Sequence, residues 1–149
     1  MNFTTEDLHR SINTCIEDEV PECAYNKRRI FKTVPFFCGQ DEFCLEPGPR
    51  ALEQAKMNVI KYFAVVGILE EYQTFLKVLT CVFPQYFQGS VNLYVNQQTK
   101  AYKVTKHTEE ITEQNRRMLE KTLSLEYDFY HFIKNRFSYL SHELDHLCQ

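Results

Sequence analysis

The sequence predicts an α/β fold, and two neighbouring observations carry that prediction. The run Tyr62–Gly67 is short, apolar and β-branched, which is typical of a buried strand. Stretches with apolar residues at three- and four-residue steps, which are typical of helices, lie on both sides of it. A helix, a buried strand and a second helix in succession indicate one layer of an α/β sheet.

The first part of the chain is predicted to contain a helix, a loop and the start of that layer. Residues 1–16 are expected to form an amphipathic helix, because apolar positions share one face of it. Residues 17–48 are predicted to form an irregular, disulfide-tied loop. Region 49–94 then has the order helix, strand, helix. Pro49 suits the first turn of a helix, where its missing N–H is not needed.

The second part is predicted to be a helix, a polar loop and further helices. Apolar residues recur at helical steps over Glu70–Phe83 until Pro84 ends the pattern. Residues 95–107 are expected to form a polar, lysine-bearing loop. Thr108 is predicted to cap the helices of region 108–149. Their apolar stripe is rich in aromatics and lacks regular flanking charges, so it favours packing on a core over a coiled coil.

Composition and charge narrow the class of protein. A length of 149 residues allows one domain at most. Seventeen basic against 20 acidic side chains, with a net charge of −3, argue against a nucleic-acid-binding protein. The longest apolar run, Phe63–Leu69, is far shorter than the roughly 18 residues of a membrane-spanning helix. The polar and acidic start does not resemble a signal peptide.

The cysteines indicate an oxidising compartment. Four of the six lie between residues 15 and 44. Their spacing is wider than that of zinc-binding pairs, so local disulfides are favoured over a metal site. Disulfides without a secretion signal indicate a piece of a longer protein. Cys81 is expected to be either a small buried side chain or the partner of Cys148. Asn2 begins an N-glycosylation sequon, Asn2-Phe3-Thr4.

Two catalytic patterns in the sequence lack the surroundings that their chemistry needs. His142–His146 matches the zinc-protease pattern H-E-x-x-H, but no third ligand can follow so near the last residue of the sequence. A solvated helix end is favoured there, and no metal site is predicted. A nucleophilic thiol at Cys81 or Cys148 would need electropositive surroundings, which the sequence does not show. Taken alone, these residues specify no reaction.

Five blocks of the sequence resemble the uronyl and heparan sulfate 2-O-sulfotransferases, in order and with compatible spacing, over about residues 15–137. The closing block is nearer to the uronyl branch. The blocks are Pro35–Cys44 (PFFCGQDEFC), Ala51–Asn58 (ALEQAKMN), Phe63–Glu71 (FAVVGILEE), Pro84–Gly89 (PQYFQG) ahead of Leu93-Tyr94, and Glu126–Phe132 (EYDFYHF).

The resemblance implies the C-terminal half of a P-loop-like nucleotide-binding sulfotransferase fold, mostly helical here with one short buried strand. Such enzymes transfer a sulfuryl group from PAPS, 3′-phosphoadenylyl sulfate, to the 2-hydroxyl of a uronic acid in heparan, dermatan or chondroitin sulfate. The implied partner is a sulfated polysaccharide, with no nucleic acid and no metal cofactor, and a homo-oligomer is left open. The implied location is the Golgi lumen, within a single-pass type II membrane glycoprotein whose N-terminal anchor is absent from this sequence.

The resemblance also implies roles for individual residues. It pairs Cys15 with Cys23 and Cys38 with Cys44. The matching positions near the PAPS nucleotide are Tyr94, Lys100, Thr105 and Thr108, and Lys106 could replace a lysine that the family places near Thr108. Lys103 matches a basic position that faces the polysaccharide. Lysine and hydroxyl donors suit this role because they form charge-assisted hydrogen bonds with phosphate and sulfate.

The catalytic base and the main phosphosulfate-binding loop of the family match nothing in this sequence. The chain alone is therefore expected to be inactive, since donor positioning and a general base supply most of the rate. The alternative interpretation is a catalytically inactive, truncated product with a glycan-binding or structural role.

Overall fold

The computed structural model describes residues 10–20, 32–46, 48–98 and 109–148. Within these ranges the chain is helical. The elements are α1 (Ile12–Glu17), α2 (Thr33–Cys38), α3 (Glu42–Leu45), α4 (Pro49–Tyr62), a 3₁₀ turn (Leu69–Glu71), α5 (Tyr72–Val82), α6 (Pro84–Phe87), α7 (Ser90–Gln98), α8 (Glu113–Thr122) and α9 (Ser124–Leu147).

The hydrophobic core lies where α2, α4 and α9 pack together, and α5 packs on α9 and contributes Val78 to the same cluster. Helix α9 contributes Phe129, Ile133 and Phe137, which are buried and lie four residues apart, so they share one face of the helix. This packing agrees with the prediction that the aromatic-rich apolar stripe of region 108–149 lies against a core and does not form a coiled coil.

Helix α4 forms where the sequence predicts it. Pro49 occupies its first position, and Phe63 ends it by donating its backbone N–H to the Val59 carbonyl at 3.3 Å. The buried residues recur at helical spacing, and they are Ala51, Leu52, Ala55 and Val59. The prediction of α5 is also confirmed, with a 3₁₀ turn in place of its first residues and with its end before Pro84.

The predicted buried strand is not formed. Tyr62 is the last residue of α4, and the segment 63–68, whose backbone is extended at its two ends, Phe63 and Ile68, is not part of a sheet. A strand requires a backbone neighbour to pair with, and no described segment supplies one. The described residues therefore form a helical assembly, and the α/β layer and the P-loop-like fold stay predictions.

The predicted loop over residues 17–48 is more ordered than expected. Its second half contains α2 and α3. Pro35 is the third residue of α2, where it costs little because an N–H in the first turn has no partner within the helix. Of the helix predicted over 1–16, residues 1–9 lie outside the described residues, and the described helix α1 begins at Ile12. Ser11 caps it by accepting a hydrogen bond from the Thr14 backbone N–H at 3.1 Å.

The boundaries around the predicted polar loop also differ. Helix α7 continues to Gln98, so residues 95–98 of the loop predicted over 95–107 are helical, and residues 99–107 lie outside the described residues. Thr108 lies outside the described residues, and α8 is instead capped by Thr112, whose hydroxyl accepts a hydrogen bond from the Asn115 N–H at 3.3 Å. Several hydroxyl residues in this stretch suit a cap equally well, so composition alone does not choose between them.

Gly67, in the segment 63–68, lies close against helix α5. A Cβ atom built at Gly67 would lie 2.5 Å from Cδ2 of the Phe75 ring on α5. Phe75 in turn packs on Phe137, with ring centroids 6.2 Å apart. The absence of a side chain at Gly67 is what allows this contact.

We expect Gly67→Ala to lower the free energy of unfolding by about 1–3 kcal/mol, because the added methyl must displace a packed ring. Urea unfolding followed by circular dichroism measures the change. Ala64→Val is the matched control, since Ala64 lies exposed on the same segment. Equal stability of Gly67→Ala and the wild type would contradict the packing described.

Candidate functional site

The first flank of the predicted ligand loop is helix α7, which carries Tyr94. The Tyr94 ring packs edge-on against Tyr72, at the start of α5, with centroids 4.9 Å apart. The α6–α7 turn is fixed by Thr80, whose hydroxyl oxygen lies 2.8 Å from the Leu76 carbonyl and 3.0 Å from that of Phe87. Helix α5 therefore positions the segment that leads into the loop.

The second flank is held by two buried asparagines that the sequence did not single out. The Asn115 amide on α8 donates to Asn13 Oδ1 at 3.0 Å and to Glu17 Oε1 at 3.1 Å, both on α1. The same Asn13 oxygen accepts from the Thr112 N–H at 2.9 Å, and Asn13 donates to the Glu110 carbonyl at 3.0 Å. These side chains fix the chain where it leaves the loop.

The loop itself carries most of the predicted site. Tyr94 is placed, half-buried, at the first flank. The other predicted ligand residues lie outside the described residues: Lys100, Lys103, Thr105, Lys106 and Thr108. The predicted glycosylation site Asn2 also lies outside them. The structure thus describes the two anchors of the loop, and the roles of its residues stay predictions.

The disulfides agree with the predicted pairings as far as they are described. Cys38 and Cys44 are bonded, with Cα atoms 5.5 Å apart. Cys15 is also disulfide-bonded, and its predicted partner Cys23 lies outside the described residues. Cys81 is bonded to Cys148, with Cα atoms 5.9 Å apart, which decides between the two alternatives for Cys81.

A groove of about 680 Å³ lies between the segment 63–68 and the start of α9. Val66–Glu70 form one wall, and Tyr127, Tyr130 and Ile133 of α9 contribute to the other. Phe37 and Phe129 also line the groove, so its surface is largely apolar and aromatic. The sequence did not predict this groove, because its walls come from segments about 60 residues apart that only the packing of α9 brings together.

Glu126 is a charged residue of the groove wall that holds the beginning of α2. Its carboxylate accepts hydrogen bonds from the backbone N–H of Thr33 at 3.0 Å and of Val34 at 3.1 Å, at the beginning of α2. Burial lowers the pKa of the neighbouring Lys32, and the negative charge of Glu126 raises it in part. Glu126 thus caps α2 and ties it to α9.

We expect Glu126→Ala to lower the free energy of unfolding by about 1–3 kcal/mol, because the N–H of the fully buried Val34 then loses its acceptor. Glu126→Gln is the matched variant and should lose less, since one side-chain oxygen remains as an acceptor. Thermal unfolding of both variants measures the difference. If the two substitutions had equal effects, the capping role would be wrong.

The H-E-x-x-H pattern lies on an exposed part of α9. The His142 and His146 rings are T-shaped with centroids 5.0 Å apart. Within the described ranges, no three or more histidine, cysteine, aspartate or glutamate side chains are grouped so that they could hold a metal ion. None of the described helices combines the length and the apolar character that crossing a membrane requires.

Comparison with known proteins identifies the relatives of this chain. It is 37% identical over 142 residues to a uronyl 2-sulfotransferase of Homo sapiens, and this match covers 91% of the chain. The chain is a homologue of the uronyl and heparan sulfate 2-O-sulfotransferases. The mouse uronyl 2-sulfotransferase is 36% identical over 93% of the chain, and heparan sulfate 2-O-sulfotransferase 1 of Homo sapiens is 28% identical over 88%.

The homology covers only part of these sulfotransferases. The match spans 34% of the human uronyl 2-sulfotransferase and 37% of the heparan sulfate 2-O-sulfotransferase 1. The chain therefore corresponds to about one third of its relatives' length, rather than the half that was expected. No family model matches the chain.

Proposed function

We propose that this chain is the C-terminal portion of a glycosaminoglycan 2-O-sulfotransferase, which transfers a sulfuryl group from PAPS to the 2-hydroxyl of a uronic acid. The observation that carries the proposal is the 37% identity to a uronyl 2-sulfotransferase over 91% of the chain. In this reaction the hydroxyl oxygen attacks sulfur, the bond from sulfur to the donor's bridging oxygen breaks, and the hydroxyl proton passes to a base. No residue of this chain is proposed as that base.

The proposed contribution of the chain is the loop that begins beyond α7. Tyr94, Lys100, Thr105, Lys106 and Thr108 are proposed to contact the nucleotide of PAPS, and Lys103 the anionic polysaccharide. Lysine ammonium groups and hydroxyl donors can bind phosphate and sulfate by charge-assisted hydrogen bonds. The buried Asn13–Asn115 contact and the Tyr72–Tyr94 packing support this role, because they hold both flanks of the loop.

The proposed setting is the Golgi lumen, as part of a single-pass type II membrane protein. The disulfides Cys38–Cys44 and Cys81–Cys148 support an oxidising compartment, since such bonds are rare in the cytosol. Glycosylation at Asn2 would fit the same setting.

A chimaeric enzyme tests the proposed function. The homologous segment of the human uronyl 2-sulfotransferase is replaced by residues 1–149 of this chain and expressed in cells that lack the native enzyme. Disaccharide analysis should then detect 2-O-sulfated uronic acid, whereas a version with the segment deleted should produce none. A chimaera that is delivered to the Golgi but transfers no sulfate would overturn the proposal, and the chain would then be a glycan-binding or structural protein.

Substitutions within the chimaera test the loop. We expect Lys100→Ala and Lys106→Ala to raise KM for PAPS, and Lys103→Ala to raise KM for the polysaccharide, each by about 10-fold, because each removes a charged hydrogen-bond donor. Lys121→Ala, on the exposed surface of α8, is the matched control and should change either KM by less than about twofold. If KM were unchanged in all three loop variants, the proposal that the loop binds PAPS and the polysaccharide would be wrong.

A further inference from the structure

The disulfide between Cys81 and Cys148 is accessible from solvent, whereas the Cys38–Cys44 disulfide is buried. Cys148 is exposed and Cys81 is half-buried, and both line a pocket of about 570 Å³ between α5 and the end of α9, called here the disulfide pocket. Cys38 and Cys44 are only 4% and 0% exposed. A thiolate cleaves a disulfide only if it reaches one of the two sulfur atoms. In the folded chain, Cys81–Cys148 is therefore the bond that a thiolate reaches more easily.

The disulfide pocket also contains a positive charge. Lys77 lies one helical turn before Cys81 on α5, and both residues line the pocket. Asp145 of α9 lines the pocket as well, but Lys77 forms no salt bridge with it or with any other described carboxylate. A cation beside a sulfur atom stabilises its thiolate, and a more stable thiolate is a better leaving group in disulfide cleavage. Lys77 is thus placed to favour the departure of the Cys81 sulfur.

The end of α9 depends on this disulfide for its position. Phe137 is 0% exposed, and beyond it none of the described side chains of α9 is buried. Leu140 and Leu144 are partly buried against the core, and the Cys81–Cys148 bond ties the end of the helix to α5. Opening the bond leaves the last turns of α9 held by these two leucines. Segments with so few buried contacts open locally at a low cost in free energy.

The disulfide pocket also borders the helix that leads into the proposed ligand loop. Val91 of α7 lines the pocket together with Leu144 and Cys148. Tyr94, which is proposed to contact the PAPS nucleotide, follows Val91 by three residues on the same helix, so the two are neighbours on its surface. Loss of order at the end of α9 therefore removes packing from α7 close to Tyr94.

We propose that Cys81–Cys148 is a site of thiol–disulfide exchange with a protein that carries a C-x-x-C dithiol, and that opening this bond loosens α7 and weakens the binding of PAPS. The second part of this inference rests on the proposed function. A thiolate of the partner attacks Sγ of the exposed Cys148. The bond between the two sulfur atoms breaks, and its electron pair leaves on Sγ of Cys81, beside Lys77.

A second step completes the exchange. The partner's other sulfur attacks the partner sulfur in the mixed disulfide and releases Cys148 as a thiolate. The partner is thereby oxidised from a dithiol to a disulfide, and its two electrons reduce the Cys81–Cys148 bond. The two protons of the dithiol end on the sulfur atoms of Cys81 and Cys148, so no further reductant is consumed.

Trapping the mixed disulfide tests the exchange. The full chain is incubated with a thioredoxin whose second active-site cysteine is replaced by serine, so that the second step cannot occur. Peptide mass spectrometry should find this thioredoxin bonded to Cys148, and Cys81–Cys148 should react about 100-fold faster than the buried Cys38–Cys44 bond. Bonding to Cys81, Cys38 or Cys44 in place of Cys148, or no mixed disulfide in the folded chain, would overturn the proposal.

Lys77→Ala and Lys77→Arg form the matched pair of variants. Lys77→Ala should slow the formation of the mixed disulfide by about threefold, because the departing Cys81 thiolate loses a neighbouring positive charge. Lys77→Arg keeps the charge and should react like the wild type. Lys77 is exposed, so both oxidised variants should melt with the wild type's midpoint temperature. Equal rates for the two variants would contradict the role given to Lys77.

The effect on PAPS is measured in the chimaera that tests the proposed function. Selective reduction and alkylation of Cys81 and Cys148 should raise KM for PAPS about fivefold and make the α7 amides exchange with deuterium about 10-fold faster. The Cys81→Ser/Cys148→Ser chimaera, which carries no alkyl groups, should behave in the same way. Unchanged deuterium exchange at α7 in both reduced forms would overturn the link between the disulfide and α7.

The two readouts separate this inference from the proposed function. If α7 is loosened on reduction but the oxidised chimaera transfers no sulfate, the function is wrong and the exchange site stands. If the oxidised chimaera is active while reduction changes neither KM for PAPS nor the exchange at α7, the control of α7 by the disulfide is wrong and the function stands.

Discussion

Replacing both Cys81 and Cys148 with alanine is expected to lower the free energy of unfolding by about 4 kcal/mol. The bond joins residues 67 positions apart, and a cross-link that closes a loop of this length strongly restricts the unfolded chain. For a protein of this size, the loss corresponds to a fall in melting temperature of roughly 10 °C. Calorimetry in the absence of reductant measures it.

The matched comparison uses the second described disulfide. Cys38 and Cys44 are only six positions apart, and the same chain-entropy relation gives about 2 kcal/mol for their bond. Reductant should lower the melting temperature of the wild type more than that of the Cys81→Ala/Cys148→Ala variant, because the variant has already lost the longer cross-link. If the double variant had the same melting temperature as the wild type, the Cys81–Cys148 bond would contribute nothing to stability.

Phe137→Ala is expected to cost about 3–5 kcal/mol, because the substitution leaves a cavity at the centre of the core. The Phe137 side chain is 0% exposed and packs on Phe75 of α5. The loss is a large part of the total stability of an ordinary domain, so partial unfolding at 37 °C is expected. Urea unfolding of the purified variant measures the change.

Two further variants on α9 make this prediction specific. Tyr139→Ala changes a residue that is 70% exposed and should alter the stability by less than about 0.5 kcal/mol. Phe137→Leu keeps most of the buried volume and should cost about 1–1.5 kcal/mol, which leaves a folded protein to measure. Similar losses at positions 137 and 139 would show that the buried face of α9 has been assigned wrongly.

The parts of the fold that local sequence determines were predicted well. Helices α4 and α5 have apolar residues at helical spacing together with a proline at one boundary, and both features act within a few residues. The strand prediction was wrong for the described chain. The apolar run at Tyr62–Gly67 indicates only that these residues favour a strand, whereas a strand forms only when another strand hydrogen-bonds to its backbone.

The parts of the candidate site that depend on distant contacts could not be predicted. Asn13 and Asn115 are 102 positions apart, and nothing near either residue indicates that their buried side chains hydrogen-bond to each other. The groove beside Val66 likewise exists only after α9 packs against the segment 63–68. The ligand residues of the loop came from resemblance to a family, since a lysine-bearing loop alone does not distinguish a phosphate site from solvent-exposed surface.

The Cys81–Cys148 bond also makes a covalent ring of nearly half the chain. The ring contains α6, α7, the proposed ligand loop, α8 and α9. A protease that cuts once anywhere within the ring produces two pieces that stay joined through sulfur. Such a nicked molecule would run as one band on a non-reducing gel and as two after reduction, so cleavage at the loop would not release the C-terminal helix.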